Sequence, residues 1–529
     1  MMIVINKLKL FHKSPEEELQ RTDASTEELA KELEKSFQPP EGWEQVTSYP
    51  IYGDYVFASV HILAKDEDLM YYLHEPELSD EERNVVDEVL KKLEYVPIAP
   101  EEVTERSKEE LLKEHVDKIL HDFRFVLPPD SYARVFYEIL KRTVLYDRIT
   151  AFMYDPYIED VSCNGHGKPV YVFHSRYTNL KTNIIFDDPD YLDRFIVKLA
   201  QQCGKHINLA EPMVDATMPD GSRIQMTLGR EITDHGSTFT IRRFKKEPLT
   251  PINLITWGTF SAEQMAYLWL CIENKKSLIF AGGTASGKTT SMNAISLFIP
   301  KRAKIVTIED TREIMLPHKN WIPAVTRDAF TPGAKSIDMY DLLRAALRQR
   351  PEYIIVGEVR GREAQTLFQA MSTGHTTYST LHADSVNGAI HRLENPPINV
   401  PRAMLEALDI ISIQSQTYVG DKRVRRNIEI AEIVGLDPHT KMLKTTTVFT
   451  WDGVNDKHTM VGSSKALESI RTSRGWTQRE LMEELDRRRI ILETMSERGI
   501  LKFTDVAKVI HTYQDDPERA MKLLELDEL

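Results

Sequence analysis

Hydrophobic and polar positions fall into distinct regimes along the chain. Up to about residue 100 they are mixed and the charge is acidic. Ser14-Pro-Glu-Glu-Glu-Leu and Ser25-Thr-Glu-Glu-Leu-Ala-Lys-Glu-Leu predict short exposed helices, Gln38-Pro-Pro-Glu a break, and Tyr49 to Ile62 a strand or two. From about Pro100 to Phe244 the periods are clearer. A helix from Ser107 to Phe123 opens on a Ser-x-x-Glu signature with Glu110 and carries Leu111, Leu112, His115, Ile119 and Leu120 on one stripe. A second helix is expected from Asp130 to Leu145 and a third from Asp190 to Cys203. Strand patterns occupy Ile158 to Cys163, Val170 to His174, Arg223 to Thr227 and Ser237 to Phe244.

Beyond Lys245-Lys-Glu-Pro-Leu-Thr-Pro-Ile, a proline-containing stretch without period that reads as a hinge, the pattern becomes an alternation of buried strands and helices. Helix Ser261 to Glu273 starts on another capping signature, Ser261 with Gln264. Apolar strands follow at Leu278 to Phe280, Lys304 to Ile308, Tyr353 to Val356 and Ile410 onward, with helices to Phe298 and over Asp341 to Gln349. Glu429 to Val434 and Thr445 to Trp451 add strands joined by a hairpin whose basic run, Lys422 to Arg426, reads as a solvated turn. From Ser463 the pattern is helical almost to the end. This is an α/β chain, and it divides into an acidic partner-docking region over residues 1–100, a small α/β domain over 101–245, a linker over 246–258, a nucleotide-binding domain over 259–450 and a helical C-terminal extension over 451–529.

The chemistry concentrates after the strand at Leu278. Gly282-Gly283-Thr284-Ala285-Ser286-Gly287-Lys288-Thr289 satisfies the phosphate-loop pattern, with Thr290 continuing into the helix. Its glycines let the backbone curl so that several N–H groups face one anion, and the helix N-terminus adds its positive end. Lys288 can reach the β/γ-phosphates and the Thr289 hydroxyl can ligate Mg²⁺. The strand at Ile308 ends in Glu309-Asp310-Thr311-Arg312-Glu313, and the strand at Val356 ends in Gly357-Glu358. Carboxylates at the carboxyl ends of parallel strands face a phosphate loop, where they can hold Mg²⁺ or orient water. Gly374-His375 and His382-Ala-Asp384 flank a Ser/Thr-rich strand and stand as γ-phosphate sensors, with a structural histidine as the plain alternative. Arg223, Arg242 and Arg243 lie on or beside apolar strands of the small domain, where ion pairing competes with a functional role.

Composition narrows this reading. The 529 residues carry a net charge of −14, which gives no global electrostatic case for nucleic acid. A helix-turn-helix resemblance at Gly475-Trp-Thr-Gln-Arg-Glu-Leu dissolves because the segment from Gln478 runs on to Met495 without a turn. No apolar run reaches 18 residues, and the opening Met-Met-Ile-Val-Ile-Asn-Lys is too interrupted for a signal peptide. Cys163, Cys203 and Cys271 are far apart, which argues against a zinc site and suits a reducing compartment.

Taken in order, the phosphate loop, the Glu309–Glu313 box, the Gly357-Glu358 strand end and the box from His375 to His382 resemble the type II/type IV secretion superfamily ATPases, over roughly Tyr154 to Val434. The segments Ala281 to Ala294, Leu367 to Ser385 and Arg392 to Met404 look most like the motor ATPase of the archaellum, with archaeal pilus-assembly ATPases as close rivals. The four-cysteine insertion of bacterial type II secretion ATPases is missing. The resemblance implies a RecA-like domain, a homohexamer, and ATP with Mg²⁺ held between the small and RecA-like domains. It implies Lys288 and Thr289 on phosphate and Mg²⁺, Glu358 as catalytic glutamate, Glu309 in the metal and water network, and His382 as γ-phosphate sensor. Arg223 and Arg242 or Arg243 would reach phosphates across a subunit boundary. It further implies a cytoplasmic protein held peripherally at the membrane through a polytopic platform protein and other motor components. A nucleic-acid translocase, a small-molecule kinase and a regulatory nucleotide switch are the rivals from other classes.

Overall fold

The computed structural model describes residues 15–95, 107–244, 247–327 and 336–525, with side chains from residue 26 to residue 524 within them. The chain's opening stretch, the expected break near Pro100 and the first linker residues Lys245 and Lys246 lie outside the described residues. The chain divides into two compact units, residues 1–245 and 246–529.

In the first unit nine strands, β1 (Glu44–Tyr52), β2 (Phe57–Lys65), β3 (Asp68–His74), β4 (Ile158–Cys163), β5 (Pro169–His174), β6 (Thr178–Ile185), β7 (Met213–Thr217), β8 (Arg223–Thr227) and β9 (Thr238–Arg242), make one sheet. Their order is β1-β2-β3-β6-β5-β4-β9-β8-β7. The seam between β3 and β6 is the parallel one, with Met70 opposite Lys181 and Tyr71 opposite Thr182. The side chain of Asn183 reinforces it by accepting from Leu73 N and donating to Leu73 O at 2.8 and 2.9 Å. Asp155 ties the same halves together, since the hydroxyls of Tyr49 and Tyr71 both donate to its Oδ2. The expected boundary at residue 100 is therefore corrected: the acidic N-terminal region and the small α/β domain share one sheet. The two expected short helices are likewise one, Pro15–Ser36. Helix Lys108–Asp122 does begin on the Ser107/Glu110 capping box, and Leu111, Leu112, Val116, Ile119 and Leu120 are its buried side.

The second unit holds β10 (Leu278–Gly282), β11 (Ile305–Glu309), β12 (Trp321–Val325), β13 (Tyr353–Val356), β14 (Thr376–Leu381), β15 (Ile410–Val419), β16 (Lys422–Leu436), β17 (Leu443–Asp452) and β18 (Lys457–Met460). The order is β12-β11-β13-β14-β10-β15-β16-β17-β18, parallel through β15 and antiparallel after it. β10, β11 and β13 are mainly apolar because both of their faces are covered, whereas β14 buries Thr376, Thr377, Ser379 and Thr380; successive side chains go to opposite cores. Phe280, Ile305, Tyr353, Ile355 and Tyr378 join one core with Trp269, whereas Ile279, Val306, Ile308, Ile354 and Val356 join another with Leu343, Leu367 and Phe368.

Two expected boundaries change here as well. The linker region includes helix Pro251–Thr256, started by a capping box between Thr250 and Asn253 and burying Ile252 and Leu254. The C-terminal segment is no appendage: Leu467, Ile470, Ile491, Leu492, Val509 and Tyr513 complete the Trp269 core over one face of the sheet. Helix Gln478–Glu497 runs unbroken for 20 residues, as the rejection of a helix-turn-helix requires. Among the described residues no helix is long and apolar enough to cross a membrane.

Candidate functional site

Parallel register brings four strand ends to one edge. Ala281 pairs with Leu381, Val356 with Ser379, and Ile308 with Val356, so Gly282, His382, Glu358 and Glu309 all emerge at the carboxyl edge of the sheet. Ligands bind outside this edge in open α/β sheets.

The phosphate loop leaves β10 at Gly282. A Cβ there would meet the Gln414 carbonyl at 2.3 Å and the Ser286 hydroxyl at 2.5 Å, so only glycine fits the turn. Ala285 (φ 59°) and Gly287 (φ 90°) lie in the left-handed region, and Ser286 Oγ donates back to Gly283 O at 2.9 Å. Gly283, Thr284 and Ala285 are exposed, while Thr289 and Thr290 are half-buried at the start of helix Lys288–Ile295. No side chain caps that helix, so its first-turn N–H groups face the loop's own concavity rather than a cap. Lys288 folds inward, its Nζ donating to Gly282 O (3.0 Å) and Gly283 O (2.6 Å). Burial lowers its pKa, and the carboxylate of Glu358 opposes that shift.

The two glutamates differ in environment. Glu309 is 2% exposed; its Oε1 accepts from Glu313 N and Ile314 N at 2.9 and 3.0 Å, and its Oε2 has no hydrogen-bond partner. Burial raises its pKa to about 7 against those two backbone donors. Gly357 permits the approach, since a Cβ there would lie 3.3 Å from Glu309 Cγ. Glu358 is half-buried, with Oε2 accepting from Arg360 Nη2 at 2.5 Å and Oε1 lying 3.3 Å from His382 Nε2 without hydrogen-bond alignment. Burial pushes its carboxyl up, but Arg360, His382 and Lys288 more than offset this and hold it below the usual carboxylate range. Desolvation and the Lys288 charge lower the His382 pKa, so the ring is neutral at neutral pH. Glu358 is therefore ionised at neutrality, and Glu309 titrates there.

The raised Glu309 pKa has a stability consequence. Unfolding returns the carboxyl to its ordinary value of 4.5. The folded state thus holds a proton that the unfolded state has lost between those values. This contribution is fully present below about pH 4.5 and lost as pH rises through 7; it is worth about 3 kcal/mol. In nucleotide- and Mg²⁺-free protein, the stability of the parent relative to Glu309→Gln is expected to fall by about that amount between pH 5 and pH 8. A pH-independent difference in urea unfolding would contradict the assignment.

The other expected residues do not all gather here. His375 precedes β14, at the amino edge, so the six residues of the strand, about 20 Å, separate it from His382. The pairing of the two histidines in one sensor is corrected accordingly. Arg243 is spent on structure: its guanidinium donates to the carbonyls of Met153, Asp155 and Ile158. That removes it from the phosphate-reaching arginines. Arg223 and Arg242 are exposed cross-strand neighbours on β8 and β9, with two like charges placed side by side.

Two residues escape the sequence reading. Arg360, two positions after Glu358, also lies 3.8 Å from Asp310 and so bridges the two acidic strand ends. Arg425 of β16 donates from Nε to Ala285 O at 2.9 Å, so the basic run is not simply a solvated turn. Its signal was the density of arginines in a hairpin, without any mark of where the hairpin pointed.

The residues fit a Mg²⁺-nucleotide. Glu309 Oε2 and Glu358 Oε1 are buried acceptors without hydrogen-bond partners, and the phosphate loop leaves β10 through a turn that only glycine fits. Among the described residues no group of three His, Cys, Asp or Glu is placed to hold a metal by itself. That suits Mg²⁺, which takes one or two protein ligands and completes its shell with phosphates and water.

Residues 153–473 match the family model described as "Type II/IV secretion system protein". An uncharacterized protein of Methanocaldococcus jannaschii is 36% identical over 496 residues, covering 88% of each chain. The type IV secretion system protein PtlH of Bordetella pertussis is 31% identical over 273 residues, 46% of this chain and 80% of that one. Among solved structures, the ATPase DotB of Legionella pneumophila matches 56% of this chain and 81% of its own at 21% identity, with a TM-score of 0.39.

Proposed function

The chain belongs to the type II/IV secretion system protein family and is an ATPase of it, and from this premise we propose that it is a hexameric motor that drives the archaellum through a polytopic membrane platform protein. The observation that carries the hydrolytic part is the convergence of Lys288, Glu358 and His382 at the carboxyl edge, with Glu358 Oε1 3.3 Å from His382 Nε2. The segments around the phosphate loop and the box from His375 to His382 support the archaellum over a pilus. Similarity to PtlH supports the alternative, a secretion or pilus-assembly motor.

ATP binding exchanges partners at the loop. Lys288 gives up the carbonyls of Gly282 and Gly283 and turns its ammonium to the β/γ-phosphates, while the loop N–H groups take the remaining oxygens. Mg²⁺ would be held by the Thr289 hydroxyl with Glu309 and Glu358, directly or through water, and would supply neutralisation of phosphate charge. Glu358, ionised and oriented by Arg360, accepts a hydrogen bond from the attacking water, and neutral His382 donates toward the γ-phosphate. Glu309, pinned by the backbone of Glu313 and Ile314, keeps the acidic loop in register. Arg223 and Arg242 are the arginines offered to the phosphates of a neighbouring subunit. Loss of the γ-phosphate removes charge from the site, and the difference in preferred conformation is delivered as movement. The protein works at the cytoplasmic face of the membrane, held there by its partners.

The test is a chromosomal Lys288→Ala replacement in the native host, scored for swimming and for surface filaments. Loss of swimming with pili retained is expected; loss of pili or of secretion with swimming retained supports the alternative.

A further inference from the structure

Two consecutive arginines of β16 have opposite fates. Arg426 is 6% exposed, and its guanidinium grips Asp456 (Nε to Oδ1 2.7 Å, Nη2 to Oδ2 2.8 Å) while Nη1 donates to the carbonyls of Trp257 and Arg425. Successive strand residues face opposite ways. Fixing Arg426 therefore presents Arg425 on the other side, where its Nε donates to Ala285 O at 2.9 Å. The Arg425 stem also lies over the phosphate loop, since a Cβ on Gly287 would meet its Cδ at 3.4 Å.

Ala285 is a non-glycine residue in the left-handed region, a conformation that persists only where its surroundings hold it. Its carbonyl is held by Arg425. In a planar trans peptide the carbonyl and the following N–H point in opposite directions. Drawing Ala285 O toward Arg425 thus turns the Ser286 N–H away from it, and among the described residues no acceptor takes that N–H. Ser286 itself is 2% exposed and its hydroxyl is committed to Gly283 O, so the residue cannot rotate freely.

We propose that Arg425 is a positioning residue for nucleotide binding: through the Ala285 carbonyl it keeps the Ser286 N–H aimed at the phosphates. This rests on the nucleotide-binding reading of the loop. The role belongs to the Nε–H donor and not to the charge, which separates it from an arginine that contacts phosphate directly.

The full chain is compared with Arg425→Met, Arg425→Gln and Lys288→Ala by titration with a fluorescent ADP analogue and by thermal unfolding without nucleotide. Methionine keeps the stem and loses the donor. Glutamine places its amide nitrogen the same number of bonds from Cα as the arginine Nε, keeping a donor without the charge. Arg425→Met is expected to weaken ADP binding about tenfold, and Arg425→Gln by no more than about threefold. Nucleotide-free unfolding stays unchanged in both, because the side chain is exposed. Parent-like binding by Arg425→Met overturns the proposal, as does a loss in Arg425→Gln equal to that in Arg425→Met. Lys288→Ala serves as the reference: if it too binds like the parent, the nucleotide reading falls with the proposal, whereas its loss beside a parent-like Arg425→Met overturns Arg425 alone.

Discussion

Replacing Glu358 by glutamine lowers ATP turnover at least about a hundredfold while nucleotide affinity stays within about threefold of the parent. The asymmetry follows from where the residue stands. Lys288 and the loop N–H groups hold the phosphates, and neither depends on the Glu358 charge for its position: Lys288 stands in the first turn of its helix, and the course of the loop is set at Gly282 and Ala285. The carboxylate is needed only when water attacks. Arg360 and His382 flank it, and together with Lys288 they keep it ionised, so it is ready to accept a proton or a hydrogen bond at neutral pH. Glutamine preserves the shape and removes that capacity. Phosphate release at saturating Mg-ATP, read beside an ADP titration, checks it; turnover above about a tenth of the parent value would move the base to another residue, with Glu309 first in line.

The second large effect is on stability. Arg488 has 3% of its surface exposed in the middle of helix Gln478–Glu497. Its Nη1 donates to Glu273 Oε2 at 2.8 Å, its Nη2 lies 2.9 Å from Glu484 Oε1, and its guanidinium stacks over Trp269 and Tyr513 at 4.8 and 5.1 Å from the ring centres. Tyr513 adds a third donor to Glu484. Removing the arginine takes the partner from Glu273 and leaves Glu484 to Tyr513 and Arg487 beside the Trp269 core, a loss of about 3 kcal/mol for Arg488→Met. Its neighbour Arg487 pairs with the same Glu484, but its side chain is 57% exposed, and Arg487→Met costs less than about 1 kcal/mol. Urea unfolding followed by tryptophan fluorescence distinguishes the two. Equal effects would mean that the C-terminal helices do not carry the packing described.

Much of the site was legible because its signals are local. A buried parallel strand is mostly a short apolar run, and the residue that ends it marks the carboxyl edge; Gly282, Glu309 and Glu358 each stand at or just past such an end, and His382 follows the buried Ser/Thr-rich strand. Capping boxes at Ser107 and Ser261 fixed helix starts for the same reason. What failed was long-range. The seam of β3 with β6 joins Met70 to Lys181 by backbone pairing that leaves no side-chain signature, so the N-terminal region looked separate. The C-terminal helices looked like an extension because their apolar stripes do not say which core they complete. Arg243 and Arg425 both donate to backbone carbonyls, acceptors that every sequence offers at every position. His375 failed by strand length alone: the histidine box spans a strand and so cannot act at one end of it.

Mg-ATP hydrolysis per subunit, measured as protein concentration rises, tests the motor account most directly. In the proposed ring, Arg223 and Arg242 of one subunit would reach the phosphates of the next, so specific activity is expected to climb steeply with assembly and to fall in an Arg242→Ala variant that still assembles. Specific activity that stays flat from dilute monomer upward, with Arg242→Ala unaffected, would mean that each chain carries a complete site, and would contradict a ring motor.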